Sequence, residues 1–124
     1  MPERLFVYGT LRRQSSAHGL LEGSRYFAKA SLGGTLYDLG QYPGLVRDNA
    51  GGGRVVGEVY ELPNQTAHRM LRALDRYEGN EFVRRRTFVT LANGVRRAAW
   101  VYVLRSRPSR SVRKIESGRY PSRR

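Results

Sequence analysis

The segment from Leu5 to Leu11 joins a short apolar run to a turn whose backbone could bind a ligand. Leu5 to Tyr8 is typical of a buried strand, and Gly9 ends it. Because glycine can adopt positive φ and has no side chain, the backbone can turn sharply there and a ligand can approach it closely. The peptide N–H groups of Gly9, Thr10 and Leu11 would then point at an anionic or carbonyl oxygen. An ordinary strand-to-turn junction is the alternative.

A second candidate for chemistry is Glu78, which ends a helical pattern immediately before Gly79. The C-terminus of a helix carries partial negative charge and disfavours an anion. Burial beside Tyr77 and the predicted sheet would disfavour the charged form further, so both effects raise a carboxyl pKa. Such a carboxyl group suits general acid–base catalysis. The alternative is an exposed glutamate at a frayed helix end, with Asp75 and Glu81 as further surface charges.

The helix that must position Glu78 is predicted over residues 64–77. Its apolar residues recur at the spacing of one helical face. Asn64 or Thr66 can cap its start, and Gly79 occupies the position that favours glycine at a helix end. The apolar face consists of Ala67, Met70, Leu71, Leu74 and Tyr77.

Strands dominate the rest of the chain. Residues 25–39 are predicted to form one long strand, with a bulge or kink at Gly33-Gly34. Residues 41–44 are predicted to turn, with the proline fixing φ and the following glycine relieving it. Residues 45–47 then form a short strand, and a glycine-rich loop follows at 49–53.

Three more strands complete the pattern. Residues 55–62 carry the polar Glu58 on the same face as two apolar side chains. Residues 84–92 and 96–104 form a hairpin, because the Asn-Gly pair at 93–94 between them is a strong hairpin signal. The sequence therefore predicts an α+β fold, with one main helix and a small, curved, mixed or antiparallel sheet or barrel.

Composition narrows the class of protein. The 124 residues suit one domain, and the 40% of hydrophobic residues suits a globular fold. The sequence has no cysteine, and its two histidines, His18 and His68, lie far apart, so we expect no metal site. No apolar run is long enough to span a bilayer, and residues 1–4 do not resemble a signal peptide. We therefore expect a cytoplasmic protein without membrane association; the oligomeric state stays open.

The net charge of +13 raises the question of a polyanionic partner. Residues 105–124 hold eight basic residues and one acidic residue, so more than half of the excess charge lies there. We expect a domain over residues 1–105 and a basic tail over 106–124 that is dispensable for activity, with packing of the tail across the domain as the alternative. Nucleic acid is the less favoured partner, because the strand aromatics look like core residues that do not interleave with arginine. These aromatics are Tyr8, Tyr37, Tyr60, Trp100 and Tyr102.

Taken together, these motifs resemble those of the γ-glutamylcyclotransferase-like family, which includes the AIG2-like proteins and γ-glutamylamine cyclotransferases. The similarity spans residues 5 to about 104 in the same order and spacing. Its most specific parts are Tyr-Gly-Thr-Leu, Gly-Glu-Val-Tyr and Leu-Asp-x-x-Glu-Gly taken together. The matching segments are 5–12, His18, Tyr37, Tyr42-Pro43-Gly44, 56–60, 74–79 and 100–103.

The resemblance implies a small barrel-like fold with a cavity and a γ-glutamyl compound as the small-molecule substrate. It implies intramolecular attack of the substrate's α-amine on its γ-carbonyl, which releases 5-oxoproline and a free amine without a metal or cofactor. Glu78 matches the family's catalytic carboxylate. The residues that the resemblance assigns to substrate binding are Tyr8, Gly9, Thr10, Leu11 and Tyr42.

The resemblance has one departure. Family members often carry a tyrosine two residues before an arginine after the Glu-Gly pair, whereas this chain has Phe82 before Arg84.

Two alternatives to an enzyme stay open. One is a non-catalytic module that uses the same cavity to bind a small ligand, and the other is a polyanion-binding protein that uses its basic tail.

Overall fold

A computed structural model of the chain describes residues 2–9, 18–47 and 53–120. Within these ranges it contains six strands, one α-helix and a short 3₁₀ helix at His18–Leu21. The α-helix, α1, spans Ala67–Glu78. The strands are β1 (Arg4–Val7), β2 (Arg25–Asp38), β3 (Pro43–Arg47), β4 (Arg54–Glu61), β5 (Phe82–Leu91) and β6 (Arg96–Leu104).

Five strands close into a barrel in the order β2-β4-β1-β6-β5. Antiparallel pairing of Ala30 with Leu91 and of Ser31 with Thr90 closes the ring between β2 and β5. β1 and β6 are parallel, whereas the other strand pairs are antiparallel. β3 lies outside the ring, against the second half of β2. The predicted α+β class with a mixed, barrel-like sheet is therefore confirmed.

Alternate residues of the strands build two apolar layers, as the two-residue repeat of a strand requires. Phe6, Val59 and Val101 belong to the layer inside the barrel. Their neighbours in sequence, such as Leu5 and Tyr60, face outward and pack with α1. The helix therefore lies on the outside of the barrel, with its C-terminal end near the end of β1.

The long strand β2 pairs with β3 and β4 along most of its length, in addition to the short pairing with β5. Its first half pairs with β4, and its second half, from Gly34 onward, pairs with β3. The register irregularity lies between Tyr26 and Ala28, so the predicted bulge at Gly33-Gly34 is wrong. Gly34 is needed for close approach instead, because a Cβ there would lie 2.6 Å from the carbonyl oxygen of Val46.

The predicted turn at 41–44 lies too far along the chain. The chain reverses at Leu39–Tyr42, where the Leu39 N–H donates to the Tyr42 carbonyl at 3.0 Å and Gly40 has a φ of 103°. Pro43 and Gly44 already belong to β3. Gly44 does not relieve a turn; a Cβ there would lie 2.6 Å from the side chain of Leu104.

The predicted hairpin around the Asn-Gly pair is confirmed: β5 and β6 are antiparallel neighbours, and Gly94 has a φ of 91° in the connection. The predicted loop at 49–53 lies outside the described residues, except Gly53. In the parts of the chain that the structure describes, no helix has the length and apolar character needed to cross a membrane.

The helix prediction is confirmed within a few residues. Thr66 occupies the N-cap position, but its side chain makes no capping hydrogen bond. Ala67, Leu71 and Leu74 are buried as predicted. Tyr77 is instead 45% exposed.

Four of the five strand aromatics are buried as predicted. Trp100 is only partly buried, and the guanidinium carbons of Arg84 and Arg86 lie 4.4 and 5.0 Å from its ring centroid. The prediction that the aromatics do not interleave with arginine is therefore wrong at Trp100, because cross-strand neighbours are invisible in a linear pattern.

The C-terminal segment returns to the barrel. The Arg113 carbonyl accepts the Asp38 N–H at 2.8 Å, and the Ile115 N–H donates to the Leu36 carbonyl at 2.7 Å. Ile115 is only 8% exposed and belongs to the inner apolar layer. The Val56 N–H donates to the Gly118 carbonyl at 2.8 Å, so the segment bridges β2 and β4.

These contacts predict that removal of everything after Pro108 destabilises the fold. Ile115→Ala should by itself lower the free energy of unfolding by about 2 to 4 kcal/mol, since it leaves a cavity in the core. Arg110→Ala, at an exposed position of the same segment, is the matched control and should leave the unfolding midpoint almost unchanged. Urea unfolding monitored by circular dichroism measures all three. An unchanged midpoint for the Pro108 truncation would show that the tail is a dispensable electrostatic appendage.

Candidate active site

A cavity of about 350 Å³ opens between the end of α1, the end of β1 and the β2–β3 turn. Its walls combine aromatic rings with polar groups, as in many small-molecule sites. The lining residues are Phe6, Val7, Tyr8, Gly9, Gln41, Tyr42, Pro43, Tyr77, Glu78, Phe82 and Tyr102.

Four of the six predicted site residues line this cavity: Tyr8, Gly9, Tyr42 and Glu78. The other two, Thr10 and Leu11, lie outside the described residues. The fold thus brings the end of the first strand against the end of the helix, although about seventy residues separate them in the chain.

Glu78 is the last residue of α1 and is half-buried in the cavity wall. Gly79, at a φ of 78°, ends the helix, and its N–H donates to the Asp75 carbonyl at 3.1 Å. Burial raises the pKa of the Glu78 carboxyl from 4.5 to about 7. Loss of hydration is the physical cause, since it disfavours the charged form of a carboxyl group. At neutral pH this side chain can both accept and release a proton.

Tyr8 is buried and its hydroxyl is fully engaged. The hydroxyl donates to the Tyr102 carbonyl at 2.7 Å and accepts the Leu45 N–H at 3.2 Å. Burial, and then the nearby Glu78 carboxylate, raise the pKa of Tyr8, so the phenol stays neutral. Tyr8 therefore supplies an apolar wall to the cavity and ties three strands together.

Gly9 is not in the left-handed region of φ, so a positive φ is not why this position needs glycine. The reason is space, because a Cβ on Gly9 would lie 2.9 Å from Cγ of Pro43. The end of β1 and the start of β3 therefore approach each other closely at the cavity wall.

Tyr42, which lines the cavity, and the exposed Glu81 form a clasp, because their side chains are joined by a hydrogen bond. The Tyr42 hydroxyl donates to Oε1 of Glu81, and this hydrogen bond is the main reason that the pKa of Tyr42 is raised. The ring of Tyr42 lies 6.1 Å from that of Phe82, centroid to centroid. Phe82, where the family often has tyrosine, is therefore part of the cavity wall beside the clasp.

Sequence reasoning missed the polar network behind the cavity. Arg84 donates two hydrogen bonds to Asp75, at 2.8 and 3.1 Å, and the Tyr102 hydroxyl donates to the same carboxylate at 2.6 Å. Arg84 is the main reason that the pKa of Asp75 is lowered. The three-residue spacing of Asp75 and Glu78 was a usable signal, since it places both on one flank of a helix.

Gln41, Pro43 and Tyr77 also line the cavity without having been predicted as site residues. Gln41 and Pro43 flank Tyr42, so their positions follow from its placement. Tyr77 belongs to the predicted apolar face of the helix, and its exposed ring reaches the cavity instead.

Comparison with known proteins agrees with this geometry. The sequence model of the family described as gamma-glutamyl cyclotransferase, AIG2-like, matches residues 5–122. The chain belongs to this family. Among curated relatives, the gamma-glutamylcyclotransferase family protein YtfP of Escherichia coli K12 is 36% identical over 118 residues, which cover 93% of each chain.

Another curated relative is the gamma-L-glutamyl-butirosin B gamma-glutamyl cyclotransferase of Niallia circulans. It is 38% identical over 106 residues, which cover 80% of this chain and 65% of that protein. Among solved structures, an AIG2-like protein of Mus musculus has a TM-score of 0.73 at 25% identity, covering 86% of this chain and 80% of its own. YkqA of Bacillus subtilis has a TM-score of 0.77 at 30% identity; the match covers 97% of this chain but only 40% of YkqA.

The raised pKa of Glu78 predicts how stability depends on pH. A carboxyl group whose pKa is higher when folded holds its proton more tightly in the folded state, so stability falls as pH rises between about 4.5 and 7. Glu78→Gln removes the free-energy cost of burying a charged carboxylate. The variant should match the wild type near pH 4.5 and exceed its free energy of unfolding by about 1 to 3 kcal/mol at pH 8. Urea unfolding at both pH values measures the difference.

The matched control is Glu116→Gln, which removes the same charge at an exposed position. It separates the local effect of Glu78 from the general effect of losing an acidic group in a basic protein. If both variants respond equally to pH, burial of Glu78 is not the cause.

Proposed function

We propose that this protein cyclises γ-glutamyl groups, releasing 5-oxoproline and a free amine. The α-nitrogen of the glutamyl group forms a bond to its own γ-carbonyl carbon, and the bond from that carbon to the departing nitrogen breaks. From the α-ammonium form of the substrate, two protons leave the attacking nitrogen and two reach the departing one, which leaves as an ammonium, so no other reactant is consumed. Family membership supports the reaction class.

The observation that carries the proposal is Glu78, a carboxyl group with a pKa of about 7 in the wall of a cavity of about 350 Å³. A general base works best when its pKa lies near the working pH. Glu78 first takes a proton from the substrate's α-ammonium group, which frees the nitrogen lone pair. It returns that proton to the departing nitrogen when the tetrahedral intermediate collapses. It also takes up the second proton of the attacking nitrogen, which the released amine then receives.

Little further machinery is needed, because the nucleophile is already part of the substrate. Ring closure avoids the entropy cost of bringing two molecules together. The protein must hold the glutamyl chain folded back on itself, and the narrow aromatic cavity suits this task. Tyr8 and Phe82 give it apolar walls, and Tyr42 also lines it.

The loop that begins at Gly9 completes the proposed site. We assign the backbone of Gly9, Thr10 and Leu11 to the polar end of the glutamyl group. Peptide N–H groups there would also stabilise the oxyanion that develops on the γ-carbonyl oxygen. The close approach of Gly9 to Pro43 supports this assignment, since it fixes the start of the loop at the cavity wall.

A non-catalytic binding module would require a different protonation state of Glu78. A module that only holds a ligand needs a carboxylate that stays charged and pairs with the ligand's ammonium group. The desolvated Glu78 is instead half-protonated near neutral pH, which suits proton transfer.

Incubation with a panel of γ-glutamyl amines and γ-glutamyl dipeptides, with mass-spectrometric detection of 5-oxoproline, tests the proposal. The wild type should release 5-oxoproline, and kcat/KM should rise with pH through about 7 as Glu78 loses its proton. Glu78→Gln should lower kcat by about 10² to 10⁴ because it removes the group that transfers the proton. Glu116→Gln should retain full turnover.

A variant Glu78→Asp refines the test, because it keeps the acid but withdraws it by one methylene. Its rate should lie between those of the wild type and Glu78→Gln. If Glu78→Gln turns over at the wild-type rate, Glu78 has no part in the reaction. If the wild type binds panel members but releases no 5-oxoproline from any, the protein is a binding module.

A further inference from the structure

The outer face of the β5–β6 hairpin brings arginine and aromatic side chains together. Cross-strand register pairs Arg86 with Trp100, and Thr90 with Arg96. Since side chains alternate along a strand, Arg84, Arg86 and Phe88 point to the same side of the hairpin. We call Arg84, Arg86, Phe88, Arg96 and Trp100 the basic–aromatic face.

Contacts within the basic–aromatic face link each ring to a guanidinium group. Trp100 lies within 5.0 Å of both Arg84 and Arg86, measured from guanidinium carbon to ring centroid. Arg96 lies 5.1 Å from the ring of Phe88. Such cation–π pairs hold the guanidinium groups and aromatic rings in fixed positions, so the surface is preorganised for stacking.

The side chains of the basic–aromatic face that would contact a ligand are exposed to solvent. Phe88 is 57% exposed and the Arg86 side chain is 54% exposed. Arg96 is exposed as well. Phe88 therefore contributes little to the barrel core, and its ring is accessible from solvent.

The charge of the face is only partly neutralised. Asp75 pairs with Arg84, whereas Arg86 has Glu3 at 3.5 Å, a carboxylate that also accepts the Trp100 indole N–H at 2.6 Å. No carboxylate of the described residues lies within 4.0 Å of Arg96. The face therefore carries net positive charge on a protein whose total charge is +13.

We propose that the basic–aromatic face binds single-stranded nucleic acid. Arg86 and Arg96 would contact phosphates, and Phe88 would stack on a base. Proteins bind single-stranded nucleic acid without sequence preference by combining positive charge along the path of its backbone with aromatic rings on which the bases stack. An acidic peptide would satisfy the arginines but would gain little from Phe88, so the exposed ring favours a nucleic acid.

The face is long enough for several nucleotides. Thr90 lies six positions beyond Arg84 along β5, which corresponds to about 20 Å of extended strand. Arg86, Phe88 and Arg96 are not among the residues that line the cavity. This binding function is therefore independent of the proposed cyclotransferase reaction, and its test needs no substrate.

Fluorescence anisotropy with a short labelled oligo(dT), over about 50 to 200 mM salt, tests the proposal on the full chain. Arg86→Gln combined with Arg96→Gln should weaken binding about tenfold. It should also reduce the slope of log affinity against log salt by about 1.4, since each lost phosphate contact to a single strand contributes about 0.7. Phe88→Ala should weaken binding about 5- to 100-fold with an unchanged slope.

The matched control is Arg69→Gln combined with Arg72→Gln, which removes equal charge from the exposed side of α1. It should change affinity less than about twofold. Phe88→Leu separates stacking from folding, because it keeps an apolar side chain but loses the ring; it should bind as weakly as Phe88→Ala. Heparin, a polyanion without bases, should bind both Phe88 variants as it binds the wild type.

Several results would overturn the proposal. Equal losses in the two double arginine variants would show that oligo(dT) responds only to total charge. Loss of binding on removal of residues 121–124 alone would assign binding to the chain end. Displacement of oligo(dT) by a poly-glutamate peptide, with no effect of either Phe88 variant, would indicate a protein partner instead.

Discussion

The site depends on one buried hydroxyl group. Tyr8 lies at the end of β1, and its hydroxyl joins the Tyr102 carbonyl of β6 to the Leu45 N–H of β3. β3 lies outside the barrel ring, so this bridge fixes it, and the turn that carries Tyr42, relative to the barrel. A buried polar group left without its partners costs about 1 to 3 kcal/mol. The geometry of the cavity is therefore coupled to the stability of the fold.

Two carboxylates one helical turn apart show how position sets chemistry. Asp75 receives hydrogen bonds from Arg84 and Tyr102, and its pKa is lowered. Glu78 lies further along α1 in the apolar wall of the cavity, and burial raises its pKa to about 7. Asp75 thus stays charged and holds Tyr102 in place, while Glu78 remains able to exchange a proton. Divergent environments of neighbouring acids are a common way to obtain an acid–base group at neutral pH.

Local signals predicted much of this architecture. The helix, its glycine stop at Gly79 and the Asn-Gly hairpin follow from spacing that a single segment reveals. The roles of Gly44 and Gly9 could not be predicted, because each is set by a residue distant in sequence, Leu104 and Pro43. The Arg84–Asp75 pair and the arginines around Trp100 depend on register in the same way, since a linear pattern does not show which side chains meet across strands. The placement of Glu78 was predictable, but its degree of burial depends on the closed barrel.

The most direct test of this account is the pKa of Glu78 itself. A carbon-13 NMR titration of the glutamate side-chain carboxyl groups, with Glu78→Gln to assign the resonance, measures it in the intact protein without any substrate. The account predicts a midpoint of about 7. A midpoint near the ordinary value of 4.5 would contradict it, because Glu78 would then be a solvated anion and could not serve as the proton-transfer group.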